Sequence, residues 1–189
     1  MLQRSWKNKL KWFRKRFTWN YKYAIGKWNA MGKETERYET IVDFIKKTGI
    51  AQPRILDLGC GYGALLDYLT PDSYSDYLGV DLSHTAILKA KAKKYPKANF
   101  KVADLHAFTP NGMYDVILFN EVLYYLDNRN ALVAHFVQFA NPNATLIVSL
   151  YNLKEEIVIE LSQSYHLLET KVVNETARTI VWGIHWFRL

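Results

Sequence analysis

Residues 54–69 read RILDLGCGYGALLDYL, an apolar run followed by glycines at 59, 61 and 63 and then a second apolar run. A strand that stops at Gly59 and gives way to a helix near Gly63 leaves backbone N–H groups and a positive helix end facing whatever lies above the sheet. Glycines there let a ligand approach the main chain closely. Beyond this turn, short apolar runs alternate with helical patterns. Strands are predicted at 54–59, 77–82, 98–103, 114–119 and 144–150, with helices at about 63–70, 83–95, 129–140 and 153–163. Alternation of this kind implies a parallel sheet covered on both faces. The C-terminal runs YHLLETKVVNE and ARTIVWGIHWFRL are strand-like and joined by a short polar turn, which predicts an antiparallel hairpin. Upstream, Glu34 to Lys47 carries helical spacing at Tyr38, Ile41, Val42 and Ile45, and Gly49 is its expected stop.

A chain of 189 residues with 49% hydrophobic side chains suits one compact domain plus an appendage. Its single cysteine, Cys60, has no partner for an internal disulfide, which points to a reducing, cytoplasmic setting. The uncharged stretch from Ala131 to Leu153 contains Pro142, three asparagines, a histidine and a glutamine, so it reads as helix, turn and strand rather than a membrane span. No apolar run or small-residue cleavage site marks a secretory signal.

The net charge of +7 is unevenly placed. Residues 1–33 hold ten Lys or Arg and no acid, which leaves the remainder at −3. In this basic arm Leu2, Trp6, Leu10, Phe13 and Phe17 recur at helical steps, with Arg4, Lys7, Lys11, Arg14 and Lys15 on other faces. Four of the six tryptophans (Trp6, Trp12, Trp19 and Trp28) also lie here, rings suited to a boundary between apolar and wet phases. Three readings stay open: a helix packed on its own domain with a solvated basic face, contact of residues 1–20 with an anionic membrane or a polyanion, and a targeting peptide. The expected division is an arm and lid at 1–33 and a folded domain at 34–189.

A glycine turn after a strand also marks nicotinamide and flavin proteins, where the spacing is G-x-G-x-x-G. Here it is G-x-G-x-G, with Asp57 ahead of the first glycine. Asp81 ends YLGVD, 22 residues beyond Gly59, where an acid at a strand tip can accept hydrogen bonds from both hydroxyls of a ribose. Asp104 follows FKVA at the next strand end, placed to accept from an adenine amino group. Any one of the three acids could be a solvated loop residue or a helix cap. Buried acids at successive strand tips need partners, and the ordered set points to a nucleoside.

These segments resemble the class I S-adenosylmethionine-dependent methyltransferases over about residues 50–189. ILDLGCGYG is similar to their first motif, GVDLS to their second, VADL to their third and YDVILFNEVLYYL to their fourth. The resemblance implies a Rossmann-like three-layer α/β sandwich whose sheet has seven strands, mostly parallel, with the last antiparallel. It implies S-adenosylmethionine as cofactor and S-adenosylhomocysteine as product. Asp57, Gly59, Cys60, Gly61 and Gly63 would face the amino acid part, Asp81 the ribose, and Asp104 with Leu105 the adenine; Leu82 and Asn120 join the cofactor set. The segment GKWNAMGKETERY resembles the opening of bacterial methyltransferases from surface-sugar and natural-product pathways, which makes Trp28, Arg37 and Tyr38 a candidate lid over the cofactor.

Methyl transfer from an activated donor asks the protein for alignment and, where the acceptor carries a proton, for its removal. The acceptor site is therefore expected beside the fourth strand. Glu121 is the first candidate for a base or acceptor-orienting group, followed by Tyr125, His106 and Tyr124, although a Glu there can also cap a helix and the tyrosines can be core rings. His84 after Ser83 reads as a cap-region residue, and His135, His166 and His185 as structural. No histidine pair has metal-ligand spacing, so no metal is expected. The fourth motif has Asn120-Glu121-Val122-Leu123 in place of the N/D-P-P-Y/F pattern of adenine and glutamine methylation, and cytosine C5 chemistry lacks its cysteine. The expected activity is methylation of a hydroxyl, amine or related group of a small molecule or sugar. Its rivals are a nucleic-acid methyltransferase, a non-catalytic cofactor-binding protein recruited by its arm, and aminopropyl transfer to a polyamine.

Overall fold

The structure is a computed structural model that describes residues 6–28, 34–175 and 179–189, with the side chains of the first helix described from Phe13 onward. Leu2, the side chains of Trp6, Leu10 and Trp12, residues 29–33 of the lid segment and the hairpin turn at 176–178 lie outside the described residues. In chain order the elements are α1 (Trp6–Ala24), α2 (Thr35–Lys47), β1 (Arg54–Leu58), β2 (Asp76–Asp81), α3 (His84–Ala92), β3 (Ala98–Val102), β4 (Tyr114–Asn120), α4 (Arg129–Val137), β5 (Ala140–Tyr151), α5 (Glu155–Ser162), β6 (His166–Glu175) and β7 (Ile180–Arg188).

All seven strands join one sheet in the order β3-β2-β1-β4-β5-β7-β6. β1 to β5 pair in parallel, and β7 is antiparallel to both β5 and β6. The expected hairpin is present, with β7 inserted between β5 and β6. Strand alternation sorts the side chains into two cores. Ile55, Val116, Leu118 and Ile147 meet α2 and α3 on one face, while Leu56, Leu58, Ile117, Phe119 and Leu146 meet α4 and α5 on the other. The result is the expected three-layer α/β sandwich. Strand order reverses between β1 and β4, and in open parallel sheets that crevice, at the carboxyl ends of the strands, is where ligands bind.

One predicted helix is much reduced. After Gly63 the chain makes only a 3-10 turn, Ala64–Asp67, rather than a helix to residue 70. Pro71 restricts Thr70, and the segment is too short to complete further turns before it. A single turn carries little macrodipole, so the glycine segment offers a ligand no strong helix end.

The arm docks on the body by the side of the helix away from its Phe13–Phe17 stripe. Tyr23 is buried and Trp19 half-buried, whereas Phe13 and Phe17 point outward. Local hydrogen bonds set this choice: Asn20 Oδ1 accepts from Ser83 Oγ at 2.9 Å, and Lys89 Nζ donates to the Tyr23 carbonyl at 2.7 Å. Ser83 also caps α3 by accepting from the Ala86 N–H, which leaves His84 the cap-region residue expected.

His185 is buried on β7, with Nδ1 against the Thr170 hydroxyl at 2.9 Å and Nε2 without a partner among the described residues. Gly183 makes room for it, because a Cβ there would stand 2.5 Å from Nε2. Burial lowers the His185 pKa to about 4. The folded protein thus refuses a proton that the unfolded chain accepts below its ordinary value near 6.5, and stability falls as pH drops through that window, by about 3 kcal/mol at most. Urea denaturation of His185→Gln is expected to show this acid slope removed; a variant as acid-sensitive as the parent would contradict it.

Candidate active site

A cavity of about 800 Å³ opens at the carboxyl ends of β1 to β5. Gly59 forms its floor, Asp81 and Leu82 one wall, Asp104, Leu105 and His106 the next, and Asn120, Glu121 and Val122 the facing side. Asp81 and Asp104 therefore turn to a common space, as their strand-tip positions predicted. Tyr151, Ile180 and Trp182 close the far end, and Trp19, Tyr23 and Trp28 cover it from the arm.

Asp81 is fixed by its neighbours. Its Oδ1 accepts from the Ser83 N–H at 2.7 Å and its Oδ2 from the Gly61 N–H at 3.0 Å, tying the glycine turn to the tip of β2. Burial nevertheless pushes its carboxyl up to about 6. At Asp104, Oδ1 accepts from the His106 N–H at 3.1 Å. Gly59 needs its φ of +88°, and a Cβ there would meet Val122 Cβ at 2.7 Å, so β1 and the β4 loop touch over bare backbone.

Glu121 has a left-handed backbone, φ +56°, costly for a non-glycine residue and typical of functional sites. Its Oε1 accepts from Ser149 Oγ at 2.7 Å and its Oε2 from the Tyr124 hydroxyl at 2.8 Å. Two hydroxyls thus hold the carboxylate in one orientation at the cavity wall. Tyr125 and His106 line the same cavity, and Tyr125 meets the Trp19 ring edge-on at 4.9 Å. Lys15 donates to the Tyr125 carbonyl at 3.0 Å and approaches Asp127 at 4.0 Å, latching the arm to the β4 loop.

Six expected ligand-facing residues do not line the cavity. Tyr38 packs in the core, its ring stacked on Tyr68 at 5.0 Å, so it is no lid. Arg37 has no exposed surface; it donates through Nη1 to Asn120 Oδ1 at 2.5 Å and pairs with Glu34 at 2.8 Å, and so positions two cavity-lining groups from below. Asp57 is buried under the turn, where Oδ2 accepts from the Tyr77 hydroxyl at 2.5 Å and Oδ1 has no partner among the described residues. Cys60 is buried in the core cluster. Gly61 faces the Tyr23 hydroxyl, 2.7 Å from where a Cβ would stand, and Gly63 backs onto Phe100 at 3.1 Å. Sequence reasoning missed Trp19, Tyr23, Trp182 and Ile180. For the first two the available signal was their i, i+4 spacing on the face opposite Phe13 and Phe17.

Burial pushes Asp57 up to about 7. Between its ordinary value of 3.8 and that pKa the folded protein keeps a proton the unfolded chain releases, so stability falls as pH rises, on the order of 4 kcal/mol by pH 8. Asp57→Asn is expected to remove this alkaline loss in urea titrations at pH 5 and 8. Equal pH slopes in variant and parent would count against it.

Among the described residues no group of three or more His, Cys, Asp or Glu is placed to hold a metal, and no helix is long and apolar enough to cross a membrane.

A family model for a methyltransferase domain matches residues 31–177. The chain belongs to that family, in keeping with the class I S-adenosylmethionine-dependent motifs. Among curated relatives it is similar to malonyl-[acyl-carrier protein] O-methyltransferase 2 of Ilyobacter polytropus, 30% identical over 115 residues that make up 58% of this chain and 43% of that protein. It is also similar to trans-aconitate 2-methyltransferase of Methylobacterium radiotolerans, 30% identical over 121 residues, 62% of this chain and 45% of that one. The chain thus spans less than half the length of these two relatives. Among solved structures, N-methyltransferase NodS from Bradyrhizobium japonicum WM9 in complex with S-adenosyl-L-homocysteine has a TM-score of 0.71 at 20% identity, covering 82% of this chain and 86% of that one. At that identity the likeness speaks for the fold.

Proposed function

We propose that the chain transfers a methyl group from S-adenosylmethionine to a hydroxyl, amine or related group of a small molecule or sugar, in the cytoplasm. Residues 34–189 serve as the catalytic domain and 1–33 as arm and lid. The convergence of Asp81 and Asp104 on one cavity above Gly59 carries this reading.

The cavity fits the cofactor on several counts. Its volume is that of a small-ligand site. The indole N–H of Trp28 at its edge has no acceptor among the described residues, and Asp57 Oδ1 beneath its floor has no donor. Five carboxylates line it (Glu34, Asp81, Asp104, Glu121 and Asp127) against two lysines, Lys15 and Lys27. A negative cavity in a positive chain suits a cationic sulfonium and repels the pyrophosphate of a dinucleotide. In this reading Asp81 with Leu82 holds the ribose hydroxyls, Asp104 with Leu105 the adenine, and Gly59, Asn120 and Trp28 the remainder. The framework beneath is Asp57, Cys60, Gly61, Gly63 and Arg37.

When bound, the cofactor supplies a methyl already activated for displacement. The protein's own work is alignment and exclusion of water. Trp19, Tyr23 and Trp28 cover the cavity, and Glu121, oriented by Ser149 and Tyr124, presents a fixed negative charge to the acceptor or receives its proton through one oxygen. Tyr125 and His106 shape the acceptor side. Aminopropyl transfer to a polyamine would draw on the same negative wall, where its acceptor would meet Glu121 and an Asp127 that Lys15 approaches at 4.0 Å.

Incubation with methyl-labelled donor and pooled small metabolites, beside parallel pools of RNA and DNA, is the test. Label in the small-molecule pool, reduced at least tenfold by Glu121→Gln, is the expected result. Label confined to nucleic acid would overturn the acceptor class.

A further inference from the structure

We propose that the outward face of α1 docks on an anionic membrane surface while its inward face closes the cavity. Phe13 is 61% exposed, Phe17 74%, Tyr21 58% and, just past the helix end, Ile25 57%. These four residues follow one another at steps of four, so they form a single stripe along the helix. The opposite face is already used, by Trp19 and Tyr23 in the cavity and by Asn20 against α3. The helix is held with its aromatic stripe outward by hydrogen bonds, and four large apolar side chains in one exposed row mark an interaction surface.

Charge selects the occupant. The segment 1–33 has ten basic residues and no acid. By helical spacing Arg14 flanks the stripe on one side and Arg16 on the other. An apolar stripe bordered on both sides by cations is the pattern of a helix lying in the plane of a lipid interface, with rings in the acyl boundary and ammonium or guanidinium groups at phosphate level. A nucleic acid would need the cations along the stripe rather than beside it, and two copies meeting through this face would bring the flanking arginines of both helices together. Docking in this way leaves α1 between the membrane and the cavity, whose wall it lines with Lys15, Trp19 and Tyr23.

The test is co-sedimentation of the full chain with vesicles of phosphatidylglycerol and phosphatidylcholine in equal parts, and with vesicles of phosphatidylcholine alone. Binding to the anionic vesicles is expected to exceed binding to the neutral ones by roughly tenfold and to weaken as salt rises. Phe13→Ser with Phe17→Ser should lower it by roughly tenfold and Arg14→Glu by several-fold, with the circular dichroism spectrum and thermal transition of each variant unchanged. Failure to sediment with anionic vesicles, or sedimentation indifferent to both variants, overturns the proposal. Tighter binding to a single-stranded oligonucleotide, or a dimer in solution that the phenylalanine variants dissolve, would also overturn it. None of these readouts involves methyl transfer, so the docking surface and the catalytic reading stand or fall separately.

Discussion

Asp81→Asn is expected to weaken binding of S-adenosylhomocysteine by about 100-fold, the loss of two hydrogen bonds to a charged acceptor. The side chain does two things at once: it holds the Gly61 N–H at 3.0 Å and the Ser83 N–H at 2.7 Å, and it presents its remaining lone pairs to the cavity. An amide keeps one acceptor and turns an NH2 against a backbone donor, which disturbs the glycine turn as well as the proposed ribose contact. Burial raises the Asp81 carboxyl to about 6, so affinity in the parent should fall as pH drops below that value while the variant stays flat. Calorimetry at pH 5 and 8 reads both effects. Parent-like affinity in the variant would mean that Asp81 anchors only the turn.

Arg37→Ala should destabilise the fold by about 3–5 kcal/mol, because it strands buried partners rather than removing a surface charge. Arg37 lies beneath the cavity between Glu34 and Asn120, with its guanidinium 4.2 Å from the centre of the Tyr38 ring and 5.7 Å from that of Trp182. Loss of the cation leaves Glu34, whose side chain is 9% exposed, without its counter-charge and Asn120 without its donor. Lysine restores charge but not the fork that reaches both partners, so Arg37→Lys should recover only part of the loss. Urea denaturation of both variants, with Glu34→Gln added to Arg37→Ala as a partial rescue, separates charge from packing. An alanine variant within about 0.5 kcal/mol of the parent would place Arg37 among ordinary surface residues.

The pH responses of His185 and Asp57 oppose each other. His185 makes the fold less stable as pH falls from 6.5 towards 4, and Asp57 makes it less stable as pH rises from 3.8 towards 7. In the parent these slopes partly cancel, so replacing either group is read as the change in net pH slope between variant and parent, negative-going for His185→Gln and positive-going for Asp57→Asn.

Much of the scaffold was legible because its signals are local. The strands alternate, the hairpin announces itself by composition, and Gly59, Asp81 and Asp104 mark strand tips where ligands gather in any open parallel sheet. What escaped depends on pairing across long separations. Arg37 and Asn120 are 83 residues apart, and nothing in either neighbourhood shows that one will be consumed by the other. Trp182 and Ile180 reach the cavity only because β7 inserts beside β5. Gly61 and Gly63 signal close approach correctly, but what approaches is Tyr23 and Phe100 of the protein itself. The arm's periodicity finds the apolar stripe but leaves open what it faces; Asn20 and Lys89 anchor the helix by its other side.

Calorimetric titration of the full chain with S-adenosylhomocysteine, run beside NADH, probes the nucleoside site most directly. Saturable one-to-one binding of S-adenosylhomocysteine with no heat from NADH is the predicted outcome. Binding of NADH with none of S-adenosylhomocysteine would contradict the account and reassign the cavity to a dinucleotide.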